Sequence, residues 1–201
     1  MKKIFTLILL ITCVISVKAY ENEYFEINIP DGYNAEISDK VYKWTKDNDY
    51  IAITVSDNIN KYNFAKYNDT DLEKQKKHLI DTYTEELKEY DCTVEVSDLV
   101  KEEINDFTII TYDINWNSEK VIGYNTYQKS ATYSTNNYIY TITQSSDKEI
   151  DKDGFKNLIN NFKPLDTSGS SSHLLAIIIV LGTISGIIGY LLRLKKNKEH
   201  K

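Results

Sequence analysis

The hydrophobic period of the chain switches between two and 3.6 along its length, and the switches mark its elements. From Phe25 the apolar positions alternate: Phe25, Ile27 and Ile29 on one side, Glu26 and Asn28 on the other. That is the signature of a half-buried strand, and Pro30-Asp31-Gly32 ends it in a turn. "KVYKWT" and "YIAITVSD" predict two more strands, the second with Ile51, Ile53 and Val55 on one face; Asp47-Asn48-Asp49 between them is hairpin-loop material. In "NDTDLEKQKKHLIDTYTEELKEYD" the period changes. Leu72, Leu79, Tyr83, Leu87 and Tyr90 fall near one face of a helix, Lys and Glu fill the other, and Thr70 with Glu73 fits a capping box at its start.

The period then returns to two. "CTVEVSDLV", "FTIITYDINWN", "VIGYNTYQKSATYS" and "YIYTITQSS" predict four strands separated by short polar turns, so an antiparallel meander is expected. In the second of them Ile110, Tyr112, Ile114 and Trp116 point one way, while Thr111, Asp113 and Asn115 point the other. The last element, "GFKNLINNFKP", spaces Phe155, Leu158, Ile159 and Phe162 at i, i+3, i+4 and i+7, an amphipathic helix expected to end at Pro164. Three strands, a helix, four strands and a helix predict an α+β domain with helices packed on an antiparallel sheet.

Both ends of the chain depart from these patterns. At the start, Lys2 and Lys3 precede the apolar stretch Ile4–Val17, and Val17-Lys18-Ala19 suits signal peptidase, so residues 1–19 read as a secretory signal peptide. A lipoprotein signal ending at Cys13 is the competing reading; Thr12 is large for the position before a lipidated cysteine. At the other end, residues 174–194 hold no acidic residue and one charge, Arg193. As a helix they would rise roughly 31 Å, enough for the hydrocarbon core. From Arg193 to Lys201 there are five basic residues and one acidic, so residues 195–201 are expected to be a basic cytoplasmic tail. A sortase signal has a similar layout but places Thr two residues after Pro and Gly after Thr. Here Thr167 is three residues after Pro164 and Ser168 follows it, so a retained transmembrane helix is expected. Residues 167–173 form a Ser/Gly-rich tether. Gly182 and Gly186 form a G-x-x-x-G, the spacing through which two membrane helices self-associate.

Charge narrows the function classes. Between Tyr20 and Ser172 there are 16 Lys, no Arg and 29 Asp and Glu, a net charge of −13. So acidic a domain argues against nucleic acid and against docking on anionic lipid headgroups, and it is compatible with cationic partners. The abundance of Asn, Lys, Ile and Tyr matches AT-rich codon usage; with the short signal and the lack of a cysteine framework, it points to a Gram-positive bacterium. Cys92 is the only cysteine beyond the signal peptide, and burial is expected for it.

Candidate chemistry is sparse. His78, His173 and His200 offer no pair at ligand spacing, so no zinc site is expected. There is no G-x-S-x-G, no phosphate loop and no H-E-x-x-H. "EIDKDG", residues 149–154, mimics the start of a calcium loop, but its twelfth position is Asn160 rather than a bidentate Glu. Asp151 and Asp153 read instead as favouring a helix N-terminus. Tyr124, Tyr127, Tyr133, Tyr138 and Tyr140 would serve either as an aromatic binding face or as packing on both faces of a covered sheet.

With "FEINIPDGY" (25–33) opening the domain, "FKNLINNFKPL" (155–165) closing it and the strand-helix-strand order between them, the chain resembles the PsbP-like family. The resemblance implies an α/β/α sandwich with a central antiparallel sheet. It also implies an accessory or binding module rather than any single activity. No functional residue of the family is matched position by position, so no catalytic, cofactor or metal residue is carried over. The expected organisation is a signal peptide (1–19), an extracytoplasmic domain (20–166), a tether (167–173), a transmembrane helix (174–194) and a tail (195–201). The expected function is a membrane-anchored, non-enzymatic binding or accessory module. The alternative is a cell-envelope hydrolase using paired carboxylates, which would need two buried, facing acids in a deep pocket.

Overall fold

The computed structural model describes residues 18–118 and 125–166. The chain begins with β1 (Lys18–Glu21), β2 (Phe25–Ile29), β3 (Asn34–Ser38), β4 (Val41–Lys46) and β5 (Asp49–Asp57). Helix α1 (Asp69–Glu86) follows, then β6 (Cys92–Val96), β7 (Val100–Ile104), β8 (Phe107–Ser118), β9 (Asn125–Ser134) and β10 (Tyr138–Ser146), and finally α2 (Lys152–Asn160) and the short β11 (Lys163–Pro164). The large sheet is antiparallel throughout in the order β3-β4-β5-β10-β9-β8-β6, with β7 also on β8; a small sheet has the order β1-β2-β11. The fold is α+β, as the alternation of periods implied.

Two cores lie on opposite faces of the large sheet. On one face the small sheet and α2 lay Phe25, Ile27, Phe155, Leu158, Ile159 and Phe162 against Trp44, Ile53, Ile109, Tyr133, Tyr140 and Ile142. On the other, Leu79 and Tyr83 of α1 pack with Leu87 and Phe64 on Ile110, Tyr112, Ile114 and Trp116. The expected outer helical layer is therefore helix alone on one face and a helix with a three-stranded sheet on the other.

Several local expectations shift. The cap of α1 is Asn68, whose side chain accepts from the Asp71 N–H while Asp71 accepts from the Asn68 N–H; the box lies two residues before Thr70 and Glu73. "CTVEVSDLV" is two strands. Val96 pairs Ile114 and Val100 pairs Thr111, so three residues stand opposite two. This bulge is re-bonded to β8 at Ser97, whose N–H donates to the Asp113 carbonyl and whose Oγ accepts from the Asp113 N–H, each at 2.9 Å. Helix α2 ends at Asn160 rather than at Pro164, because Lys163 and Pro164 pair with Glu26 and Phe25 as β11. Phe162 thus lies beyond the helix, yet it is wholly buried. Strand β3 gave no signal, since all five of its residues are exposed. The run Val121–Tyr124, most of the signal peptide, the tether, the apolar run with Gly182 and Gly186, and the tail lie outside the described residues. Among the described residues no helix is long and apolar enough to cross a membrane.

Candidate functional site

Among the described residues, one strip of the large sheet has no layer packed over it. The small sheet and α2 cover the α2-facing side over β4, β5, β10 and the near parts of β8 and β9. The remaining strip, on β6, β8 and β9, carries the polar half of each alternating strand. Thr111, Asp113, Asn115 and Asn117 of β8 share this face with Thr93 and Glu95 of β6 and with Tyr127 and Lys129 of β9, because Glu95 and Tyr127 both pair Asn115 and Lys129 pairs Asp113.

The bulge at Ser97–Leu99 gives the strip its shape. It changes the parity of the outer strand, so Val100 and Glu102 turn toward the α2 side. Opposite them Lys152, Phe155, Lys156 and Ile159 of α2 form a wall. Between these walls runs an open groove with a volume of about 360 Å³. It continues past Glu149 and Ile150 to Asn115, Asn117 and Tyr127 at the far ends of β8 and β9.

Its electrostatics are mixed and moderately acidic. Glu95, Asp98, Glu102, Asp113 and Glu149 line it against Lys129, Lys152 and Lys156. Lys129 Nζ donates to Asp113 Oδ2 at 2.8 Å on the floor, where the lysine side chain is 18% exposed. At the bulge Lys76 reaches over from α1 and donates to Asp98 at 2.6 Å; that hydrogen bond, then the lysine's charge, hold the Asp98 carboxyl below its usual range. No Asp or Glu among the described residues is buried, and none of their groups of His, Cys, Asp and Glu is placed to hold a metal ion. The groove can therefore offer paired ions, amides, hydroxyls and one partly exposed tyrosine.

The residues singled out from the sequence lie elsewhere, apart from Tyr127 and Glu149. Asp151 accepts from the Gly154 N–H at 2.9 Å and caps α2, with Asp153 in its first turn, so the calcium-like run is a helix start. His78 is half-buried on α1. Cys92 opens β6 and forms no disulfide; it is half-buried rather than buried, because β6 is an edge strand and only its inner residues reach the core. Tyr127, Tyr133, Tyr138 and Tyr140 share a single face rather than both; Tyr133 and Tyr140 are buried there under the small sheet and α2, whereas Tyr127 and Tyr138 are half-buried at its two ends. Burial is the first cause that pushes the hydroxyl pKa values of Tyr133 and Tyr140 up. Tyr124 lies outside the described residues. The groove residues themselves were visible only as the hydrophilic side of an amphipathic strand.

No protein-family model matches the chain, and no curated protein matches it in sequence. Among solved structures it is similar to the cyanobacterial PsbP (CyanoP) of Synechocystis sp. PCC 6803, with a TM-score of 0.57 and 11% identity, over 76% of this chain and 95% of that one. It is also similar to the Ran-binding protein Mog1p of Saccharomyces cerevisiae, with a TM-score of 0.50 and 10% identity, over 76% of this chain and 97% of that one. The fold is PsbP-like, and at such identities the likeness concerns the fold alone.

Proposed function

We propose that this chain is a membrane-anchored extracytoplasmic binding module of a Gram-positive envelope, which holds a partner polypeptide in the groove between α2 and the β6–β7 edge and does no chemistry on it. The observation that carries this reading is the open strip of sheet, floored by alternate polar side chains and walled by α2. An exposed row of hydrogen-bonding groups on a rigid sheet is suited to recognition. A binding role has a precedent on this fold in the yeast protein, which is a Ran-binding protein. Anchoring rests on the sequence: a signal peptide over residues 1–19, an apolar run over 174–194 and a basic tail that stays inside. In the membrane, Gly182 and Gly186 supply a contact for self-association. The five acids of the groove favour a partner with basic side chains.

The test is cross-linking and affinity capture of the native protein from membranes, run in parallel with Asp113→Lys and Tyr127→Ala. Both residues are at least partly exposed, so both variants should fold. A partner captured by the wild type and lost from both variants supports the groove. A partner retained equally by both variants places recognition elsewhere on the domain. A purified protein that turns over an envelope glycan or peptide would replace the binding reading with the hydrolase one.

A further inference from the structure

Where the tether leaves the domain, the last described residues are fastened to a turn and a loop. Asp166, the last described residue, is held there by the turn between β9 and β10: the Asn137 N–H donates to its Oδ2 at 2.7 Å and the Thr135 hydroxyl at 2.9 Å. One residue earlier, the Leu165 N–H donates to the Tyr24 carbonyl at 2.9 Å. The loop after β5 is fastened to the same turn. The Asn58 N–H donates to the Asn137 carbonyl at 2.6 Å, the Asn58 side chain to the Thr135 carbonyl at 2.7 Å, and Lys61 Nζ to the Asn136 carbonyl at 2.8 Å.

Those bonds place two exposed apolar side chains at the point of exit. Ile59, at the tip of the fastened loop, is 79% exposed, and Leu165 is 53% exposed. Tyr24 and Tyr138 stand beside them, with ring centroids 5.2 Å apart and Lys40 Nζ 5.9 and 5.6 Å from the two rings. Apolar tips, half-exposed tyrosines and lysines are the composition that settles at the interface of a bilayer.

We infer that this end of the domain rests on the outer face of the bilayer that holds its own anchor, with Ile59 and Leu165 dipped into the interfacial layer. The inference rests on the anchored reading above. The apolar run starts at residue 174, and the seven residues between Asp166 and it span at most about 25 Å when fully extended. A surface held that close is met at high effective concentration, so a weak apolar contact is enough to orient the domain. Attraction of lysines to acidic lipid is not required, which fits a domain whose net charge is −13.

The test uses residues 20–201, the chain left once the signal peptide is removed, carrying Cys92→Ser and reconstituted in phosphatidylcholine vesicles. An environment-sensitive fluorophore is attached at Ile59→Cys, at Leu165→Cys or, as control, at Asn48→Cys. Asn48 lies in the β4–β5 turn at the opposite end, where its side chain bonds Asp147. The expected result is a blue-shifted probe at the first two sites, quenched by nitroxide-labelled lipid severalfold more than at the third. Equal, aqueous spectra at all three sites in a chain that floats with the vesicles would overturn the contact and leave the anchor standing. Equal quenching at all three would overturn the orientation. A chain that does not float with the vesicles would bring down the anchored reading and this contact together.

Discussion

Replacing Phe162 by Ala tests the packing on which the rest depends. Phe162 is fully buried, and its ring centroid lies 5.4 Å from Phe25, 4.9 Å from Tyr133 and 5.4 Å from Tyr140. It therefore touches the small sheet and the large sheet at once, directly after α2. Truncating a buried Phe to Ala costs about 3–5 kcal/mol as transfer and cavity terms combined. This site should fall in the upper half of that range, because its neighbours are strand-borne rings that cannot collapse into the gap. The assay is urea unfolding of the domain 20–166, followed by far-ultraviolet circular dichroism. With an m-value of about 2 kcal/mol/M, the midpoint should drop by about 2–2.5 M. Lys156→Ala on the exposed face of α2 is the control and should hardly move it. Equal, small shifts for the two variants would mean that the segment after α2 is not docked, and the two-core architecture would fall with it.

Three further outcomes follow from the same structure. Asp151→Ala removes the acceptor of the Gly154 N–H and should cost about 1 kcal/mol in the same urea assay. Burial raises the pKa values of Tyr112, Tyr133 and Tyr140 above the ordinary 10.0; the unfolded chain therefore loses these protons first, so their stabilisation is complete below pH about 10 and is lost as pH rises beyond it. Absorbance at the phenolate band should then show these three titrating only together with loss of circular dichroism, and a reversible early titration of all tyrosines would refute their burial. Protease added to intact protoplasts should digest the domain and spare the tail, whereas release of the domain by lysozyme without detergent would mean wall attachment in place of a retained span.

Most of the fold was legible because period is a direct imprint of burial. Strands β2 and β4 bury alternate apolar side chains and β8 does so from Ile110 to Trp116, the central strands β5 and β10 are buried on both faces over residues 50–53 and 139–143, and both helices carry an apolar stripe. What was illegible lacked that imprint. Strand β3 buries nothing. Strand β9 was read as a strand, but not that its polar row Thr126, Gln128, Ser130 and Thr132 is buried under α1, where an apolar row was the natural expectation. The parity change at Ser97–Leu99 cannot be counted from one strand, since a bulge is defined only against its partner. The groove suffered most. Its floor was recorded correctly as the polar side of "FTIITYDINWN", but a polar side reads the same whether it faces bulk water or a walled cleft. Only the placement of α2 across the sheet tells the two apart.

The direction of the groove connects the two halves of the functional reading. Strands β8, β9 and β10 run from the tether end to the groove end: Ile139 pairs Ser134 beside the Thr135–Asn137 turn, while Ser146 pairs Tyr127 and Asn115 pairs Tyr127 at the other. Seven residue steps take the strand from Tyr127 to Ser134, roughly 23 Å along an antiparallel strand. A domain resting on the bilayer at Ile59 and Leu165 would therefore carry the Tyr127 end of the groove about that far above the headgroups, with the wider part beside Asp113 and Lys129 nearer to them. In that position Glu95, level with Tyr127, would stand more than two Debye lengths of roughly 8 Å from an anionic membrane surface, whereas Glu102, opposite Ile109 and so level with Tyr133, would lie near it. The field at the Glu95 end would then act on what diffuses through the wall rather than on the lipid. An anchor at the other end of the strands would press the acidic groove against the bilayer, where repulsion and occlusion would both disable it. On the proposed anchoring, the short tether and the latch on Asp166 would fix one end of the domain at the membrane and leave the Tyr127 end of the groove open.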